Sequence, residues 1–206
     1  KKIIHLFNTK FQLDDKIIKN LPIGLHGEFY SHQLTCFMIN NNDFKDINTL
    51  LNKCNLGINQ IVLKSFINGI KIINRYKKDT FVEIKMNKNN TQLTVFYESA
   101  FCFFQKFNFG SDIIIKDISK VCSLEISTVQ KIITDSNFEI SDQNLYVDKK
   151  HFDKNNFKKI SLKHIIEISS ARIKEITNIL FNQNKNLYEL KDKKISLYLD
   201  FEDKNI

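Results

Sequence analysis

Apolar and polar residues alternate loosely from Ile3 to Leu13, as on a half-buried strand, and Asp14-Asp15 then marks a turn. Leu21-Pro-Ile-Gly-Leu-His-Gly27 is a turn-rich connector, and Glu28 to Leu34 reads as extended chain. Leu34 to Ile39 is apolar enough for a buried strand, after which Asn40-Asn-Asn42 supplies a turn and Asp43 a helix cap. Phe44, Ile47, Leu51 and Cys54 recur at spacings of three, four and three, one face of a helix ending near Gly57. Ile61 to Leu63 reads as a second strand and Ser65 to Tyr76 as a second helix. A strand–helix–strand unit of this length predicts parallel strands with a right-handed crossover.

From Thr80 the pattern changes. Phe81 to Met86, Leu93 to Tyr97 and Phe101 to Phe107 read as strands, with turns at Asn87 to Asn90 and at Glu98-Ser99, an antiparallel meander. Helices follow at Asp112 to Cys122 and Ser127 to Asp135, and short strands at Phe138 to Val147 and near Ile160. Leu162 to Phe181 is the longest helix, with Leu162, Ile165, Ile166, Ile173, Ile176 and Leu180 near one face; Lys194 to Leu199 reads as a closing strand. The switch at Tyr76–Thr80 predicts two α/β lobes.

The composition of these 206 residues, 42% apolar and 26% charged, is that of a soluble globular protein. No apolar run approaches the roughly 20 residues of a membrane span, and no leader-like segment opens the chain, so an intracellular protein is expected. Cys36, Cys54, Cys102 and Cys122 lie in apolar stretches without a C-x-x-C pair, which predicts buried, reduced thiols. Although the net charge is +8, 29 of the 31 basic residues are Lys, and phosphate and base forks favour Arg, so no nucleic-acid role is expected. The five histidines form no H-x-x-x-H and adjoin no metal-like cluster. Phosphate-loop, dinucleotide and nucleophile-elbow motifs are absent from the sequence, and no catalytic residue is assigned.

The order of elements, together with several short motifs, resembles the bacterial cell-division protein family FtsA, a branch of the actin-like ATPases. Ile3-Ile-His5 through Leu13-Asp14 and then Leu21 to Gly27 resemble that family's "LHV-P-x-x-Y-x-x-D…NP-x-GM-x-G" segment, which closes its SHS2 subdomain. Cys54-Asn-Leu-Gly57 with Ile61-Val-Leu63 resembles "AGL…DIVLEP-x-ASA", with Lys64-Ser65 at the Glu-Pro positions. Phe109-Gly-Ser-Asp112 and Lys116-Asp-Ile118 resemble "GGD-x-x-T-x-DIA", and Leu162 to Ile176 resembles "…IIE-x-R-x-x-EI", with Arg172 and Glu175 matching. The likeness runs from residue 3 to about 202. It implies a two-lobed actin-like (ribonuclease H-like) α/β fold. Residues 1–33 would end an SHS2-type α+β subdomain, 34–77 would belong to the first lobe, and 78–206 to the second, with an inserted subdomain at about 119–163.

Against the family's phosphate loops the sequence is degenerate. Where the second loop reads DIGGGTTD, this chain has Lys85-Met-Asn-Lys-Asn-Asn-Thr-Gln92: Lys85 replaces the Asp, and Asn87, Lys88 and Asn89 replace the glycines, ahead of Asn90 and Thr91. Asn tolerates positive φ, whereas a left-handed Lys88 would cost on the order of 1–2 kcal/mol. The further nucleotide positions implied are Gly110, Ser111 and Asp112, then Gln130 and Ile133 on the "AE-x-x-K" helix, and Leu199 and Asp200 in the glycine-free stretch matching "LTGGGA". ATP and Mg²⁺ serve the family, and the substitutions predict that this chain uses neither.

The resemblance implies a scaffold that binds the C-terminal peptide of FtsZ and links the division ring to the inner membrane from its cytoplasmic face. Self-association into actin-like protofilaments belongs to the same picture. Lys158, Lys159 and Lys163 are the candidate peptide contacts. Membrane contact would need a tail beyond Ile206, as the family's opening phosphate loop would lie before Lys1. Two alternatives stay open: an active actin-like ATPase with divergent loops, and a pilus-assembly adaptor like PilM.

Overall fold

The computed structural model describes residues 1–18, 20–135, 145–152, 157–190 and 194–202. Its first sheet grows from the alternating opening segment. Strand β1 (Lys2–Leu13) pairs antiparallel on one side with β2 (Lys16–Ile18) and on the other with β3 (Tyr30–Ile39), in the order β2-β1-β3. Asp14, left-handed at φ 52°, makes the β1–β2 turn. Its carboxylate accepts from the backbone N–H of Glu28 and Phe29 at 2.9 Å each, tying the connector back to the turn. Register shifts at Ile3/His5 and Asn8/Lys10 break β1's alternation.

Helix α1 spans Asn41–Asn52 and α2 spans Lys64–Tyr76. The parallel strand–helix–strand unit is not formed. Leu34 to Ile39 belongs to β3, antiparallel to β1, and Ile61 to Leu63 is extended without joining a sheet. The Leu63 N–H instead donates to His5 Nε2 at 3.2 Å, a side chain 58 residues away, where a neighbouring strand would have accepted.

The second sheet has the order β6-β5-β4-β7, from β4 (Phe81–Met86), β5 (Thr91–Tyr97), β6 (Ala100–Phe107) and β7 (Ser196–Phe201). The β5–β6 turn is Glu98-Ser99, both left-handed at φ 48° and 65°, the geometry of a two-residue type I′ hairpin. β4 lies between two neighbours and is buried along nearly its whole length, as its apolar run implies. The rest of the described chain is mostly helical: α3 (Asp112–Cys122), α4 (Ile126–Asp135) and α5 (Leu162–Thr177), the last continuing into a π turn at Asn178–Asn182. Short 3₁₀ turns lie at Lys149–His151 and Lys185–Leu190. The strand expected near Ile160 is a single bridge, Tyr146 to Ser161, and residues 138–144 of the other expected strand lie outside the described residues. The fold class is α/β.

Two compact units emerge. One comprises residues 1–83, 94–105 and 195–198, the other 84–93, 106–194 and 199–206, where the sequence reading set its boundaries after 33 and 77. The first unit's core is aromatic: Phe81, Phe96 and Phe101 are fully buried, packed against Phe7, Phe37, Phe66 and Tyr198 among others. Phe96 stacks on Phe81 at 4.9 Å and on Phe101 at 5.1 Å between centroids. Gly69 lets α2 approach, because a Cβ there would land on the Phe96 ring.

The second unit's core is aliphatic. Ile114, Ile115 and Ile118 of α3 meet Val129, Ile132 and Ile133 of α4, with Val147, Ile160, Leu162 and Ile165. On α5 the expected stripe is kept by Leu162, Ile165, Ile176 and Leu180, but Ile173 points out, 47% exposed. Arg172 Nε donates to Asp117 of α3, and Nη1 to Glu175 at 2.5 Å. The Asp117 hydrogen bond, aided by attraction to both carboxylates and opposed by partial burial, holds the guanidinium above its ordinary value.

The thiols depart from expectation. All four are free, but Cys36 and Cys54 are exposed and Cys102 and Cys122 half-buried. Cys36 pairs in register with Leu6, itself 55% exposed, on the outward face of the first sheet. No helix among the described residues is long and apolar enough to cross a membrane.

Candidate functional site

Of the four segments that the sequence singled out as nucleotide positions, the second unit brings three together: the β4–β5 turn, the start of α3 and the end of β7. The β4–β5 turn closes on itself: Asn87 N donates to Asn90 O at 2.8 Å, and Asn87 Nδ2 to Asn90 Oδ1 at 2.9 Å. None of Asn87, Lys88, Asn89 and Asn90 is left-handed, so the strain expected at Lys88 does not arise. The hydrogen bond between the two asparagine side chains helps to hold this glycine-free turn.

Against this turn lies the start of α3. Ser111 N donates to Asn87 O at 3.1 Å and Asp112 N to Lys88 O at 3.0 Å. The first N–H groups of a helix are free to bind an anion only when nothing else accepts from them. Here the turn's own carbonyls accept. Gly110 makes the approach possible, since a Cβ at that position would sit 2.5 Å from the Lys88 carbonyl oxygen and closer still to that of Asn87. Thr91, fully buried, fixes the other side by donating from Oγ1 to Phe109 O at 2.8 Å.

The third segment is the end of β7. Lys85 Nζ forms an ion pair with Asp200 Oδ2 at 2.6 Å, and the Lys88 N–H donates to Glu202 Oε2 at 3.2 Å. Glu202 N in turn donates to Met86 O at 2.9 Å. Asp200 and Glu202 are two apart, the spacing that puts both carboxylates on one side of an extended chain. The sequence reading named Asp200 as a position and passed over Glu202, although the Asp-Phe-Glu alternation was visible.

Several polar groups at these positions are already engaged within the protein. Lys85 is paired with Asp200, and the amides of Asn87, Lys88, Ser111 and Asp112 all donate to protein acceptors. Glu202 and Asp112, the latter in the first turn of α3, add negative charge to these segments, while the charge of Asp200 is offset by Lys85. Ser111 Oγ is buried without a hydrogen-bond partner and makes no capping bond. The other two implied positions are on α4, where Ile133 is buried in the aliphatic core and Gln130 is exposed. No described hydrogen bond or ion pair joins either to the turn, and Leu199 is 54% exposed.

The lysines read as peptide contacts are separately engaged. Lys158 Nζ donates at 2.6 Å to the carbonyl of Ser123, the left-handed residue that ends α3. Burial pushes the nearby Cys122 thiol up, and the Lys158 charge opposes that shift. Lys159 Nζ stands 4.4 Å over the Tyr146 ring, and Lys163 is exposed in the first turn of α5, which Ser161 caps by accepting from His164 N at 3.2 Å. Among the described residues no group of three His, Cys, Asp or Glu side chains is arranged to hold a metal ion.

No protein-family model and no curated protein matches the chain. Solved structures with a similar course include the ethanolamine utilization protein EutJ from Carboxydothermus hydrogenoformans, 9% identical over 68% of this chain and 41% of that one, TM-score 0.45. MreB 5 of Spiroplasma citri bound to AMPPNP is 11% identical over 78% of this chain and 54% of that one, TM-score 0.46. A PilM–PilN type IV pilus biogenesis complex is 10% identical over 96% of this chain and 49% of that one, TM-score 0.49. The chain thus spans about half the length of these proteins or less. Likenesses at this level leave its activity and partners open.

Proposed function

We propose that this chain is part of an actin-like protein that has become a nucleotide-independent binding scaffold of the FtsA kind. The observation that carries the reading is the turn at residues 87–90, where Asn87 bonds Asn90, the Lys88 amide is taken by Glu202 and neighbouring Lys85 is paired with Asp200. Loops unrelated in sequence position meet there as phosphate loops would, while the protein's own carbonyls and carboxylates use the groups that would hold a phosphate. Calorimetric titration with Mg·ATP tests this directly. No heat of binding is expected, and micromolar, Mg²⁺-dependent binding would restore the ATPase alternative.

A scaffold acts through its partners. The partner proposed is the acidic C-terminal peptide of FtsZ, met by exposed Lys163 and the Lys159–Tyr146 pair, with Lys158 committed to the end of α3. Rim charges of this kind act mainly on association rate and salt dependence, and exposed charges are screened over about 8 Å at physiological ionic strength. Location at the cytoplasmic face of the inner membrane and protofilament self-association belong to the same proposal. Fluorescence anisotropy with the labelled peptide should show salt-sensitive binding. Binding of a pilus membrane-protein tail in its place would turn the reading to a PilM-like adaptor.

A further inference from the structure

Between Asp46 and Asp79 the sequence holds no Asp or Glu, yet it carries Lys53, Lys64, Lys71, Arg75, Lys77 and Lys78. Helix α2 gathers half of these cations into a stripe. Lys64, Ile67, Lys71 and Arg75 follow at spacings of three, four and four, so they share one face, and all four are exposed. The opposite side faces the aromatic core through Phe66, Ile72, Ile73 and buried Gly69. Lys77, left-handed at φ 54°, ends the helix by donating its N–H to Ile73 O, and exposed Lys78 follows it. Among the described residues no ion pair joins these cations to a carboxylate; the nearest contact is Arg75 over the Tyr76 ring at 5.2 Å. The stripe from Lys64 to Arg75 is about 17 Å long at 1.5 Å per residue.

We infer that this face of α2 docks on an anionic lipid surface. Charge complementarity requires an anionic partner, and the apolar residues within the stripe decide its kind. Ile67 is 42% exposed among the lysines, and Val62, just before the helix, is 38% exposed. Basic side chains flanking exposed aliphatic ones suit a headgroup region with hydrocarbon beneath it. A nucleic acid would favour several Arg forks and stacking aromatics, and the stripe holds one Arg, whose guanidinium already lies over the adjoining Tyr76 ring. The contact is peripheral, since the apolar side of α2 is already used by the core. It lies within the chain, whereas the sequence reading looked for membrane contact only beyond Ile206, and it does not depend on the nucleotide turn.

The test is co-sedimentation of the chain with vesicles of phosphatidylglycerol and phosphatidylcholine in equal parts, against phosphatidylcholine alone and duplex DNA. Binding to the anionic vesicles, reversed by high salt and absent with the neutral ones, is expected. The triple variant Lys64→Gln, Lys71→Gln, Arg75→Gln should lower the partition by about a hundredfold, as each cation near an anionic surface contributes about fivefold. Lys116→Gln, Lys131→Gln, Lys174→Gln, which removes the same charge elsewhere, should bind nearly as the parent. Equal loss in both variants, tighter binding to DNA, or no sedimentation at low salt would overturn the proposal. Circular dichroism on both variants confirms that these exposed positions leave the fold intact.

Discussion

Gly110→Ala is the sharpest probe of the turn–helix contact. The added methyl would lie 2.5 Å from the Lys88 carbonyl oxygen and closer to that of Asn87, and both obstacles are backbone, unable to rotate aside. Both carbonyls also accept the helix-starting bonds, from Ser111 N at 3.1 Å and Asp112 N at 3.0 Å. Overpacking of this sort costs about 1–3 kcal/mol, and loosening two backbone hydrogen bonds adds about 0.5–1.5 kcal/mol each. The expected loss is about 4 kcal/mol, a large part of the 5–15 kcal/mol typical of a domain. In a chain of this size it should lower Tm by roughly 8–16 °C. Urea denaturation followed by circular dichroism measures it, with Gly57→Ala as the control, because a Cβ there meets nothing within 4 Å. If the two variants differ by less than about 0.5 kcal/mol, the turn does not press on α3 and the self-satisfied site is refuted.

The left-handed Glu98-Ser99 turn should be relieved by the pair Glu98→Asn and Ser99→Gly, raising stability by about 1–2 kcal/mol in the same denaturation assay; an unchanged midpoint would contradict the type I′ geometry. Arg172→Met should destabilise by about 1–2 kcal/mol once partial solvent screening is allowed for, because Asp117 keeps its charge and loses its partner. The folded guanidinium lies above its ordinary value, so its contribution is fully present below that value and lost only in strong alkali; the loss on substitution should therefore be the same throughout the neutral range. Alkylation followed by mass spectrometry at mildly alkaline pH should modify exposed Cys36 and Cys54 first and Cys122 last, and Lys158→Gln should slow Cys122 further by removing the opposing charge. The same raised thiol contributes stability that is present below the unfolded thiol's ordinary value and fades as pH rises through the folded one.

What was legible along the chain was what the chain decides locally. The strand at Phe81–Met86 and the helix at Asp112–Cys122 stand where apolar spacing places them, and the turns at 87–90 and Glu98-Ser99 fall between the expected strands. Pairing between distant segments was not legible in the same way. Ile61-Val-Leu63 has a strand's composition, but three residues specify no neighbour, and His5, 58 residues earlier, takes the hydrogen bond that a parallel strand would have used. Cys36 and Leu6 look like core residues in sequence; one register pairing puts both on the outward face of β1 and β3. The candidate site divides along the same line. That residues 87–89 hold no glycine was readable residue by residue. That Glu202 reaches the Lys88 amide was not, because the contact spans 114 residues and depends on β7 running beside β4. The absence of glycine is thus a local property of the sequence, whereas the contacts of Asp200 and Glu202 with Lys85 and Lys88 are a property of the fold. Together with the turn's own carbonyls, Glu202 matches the amides of Asn87, Lys88, Ser111 and Asp112.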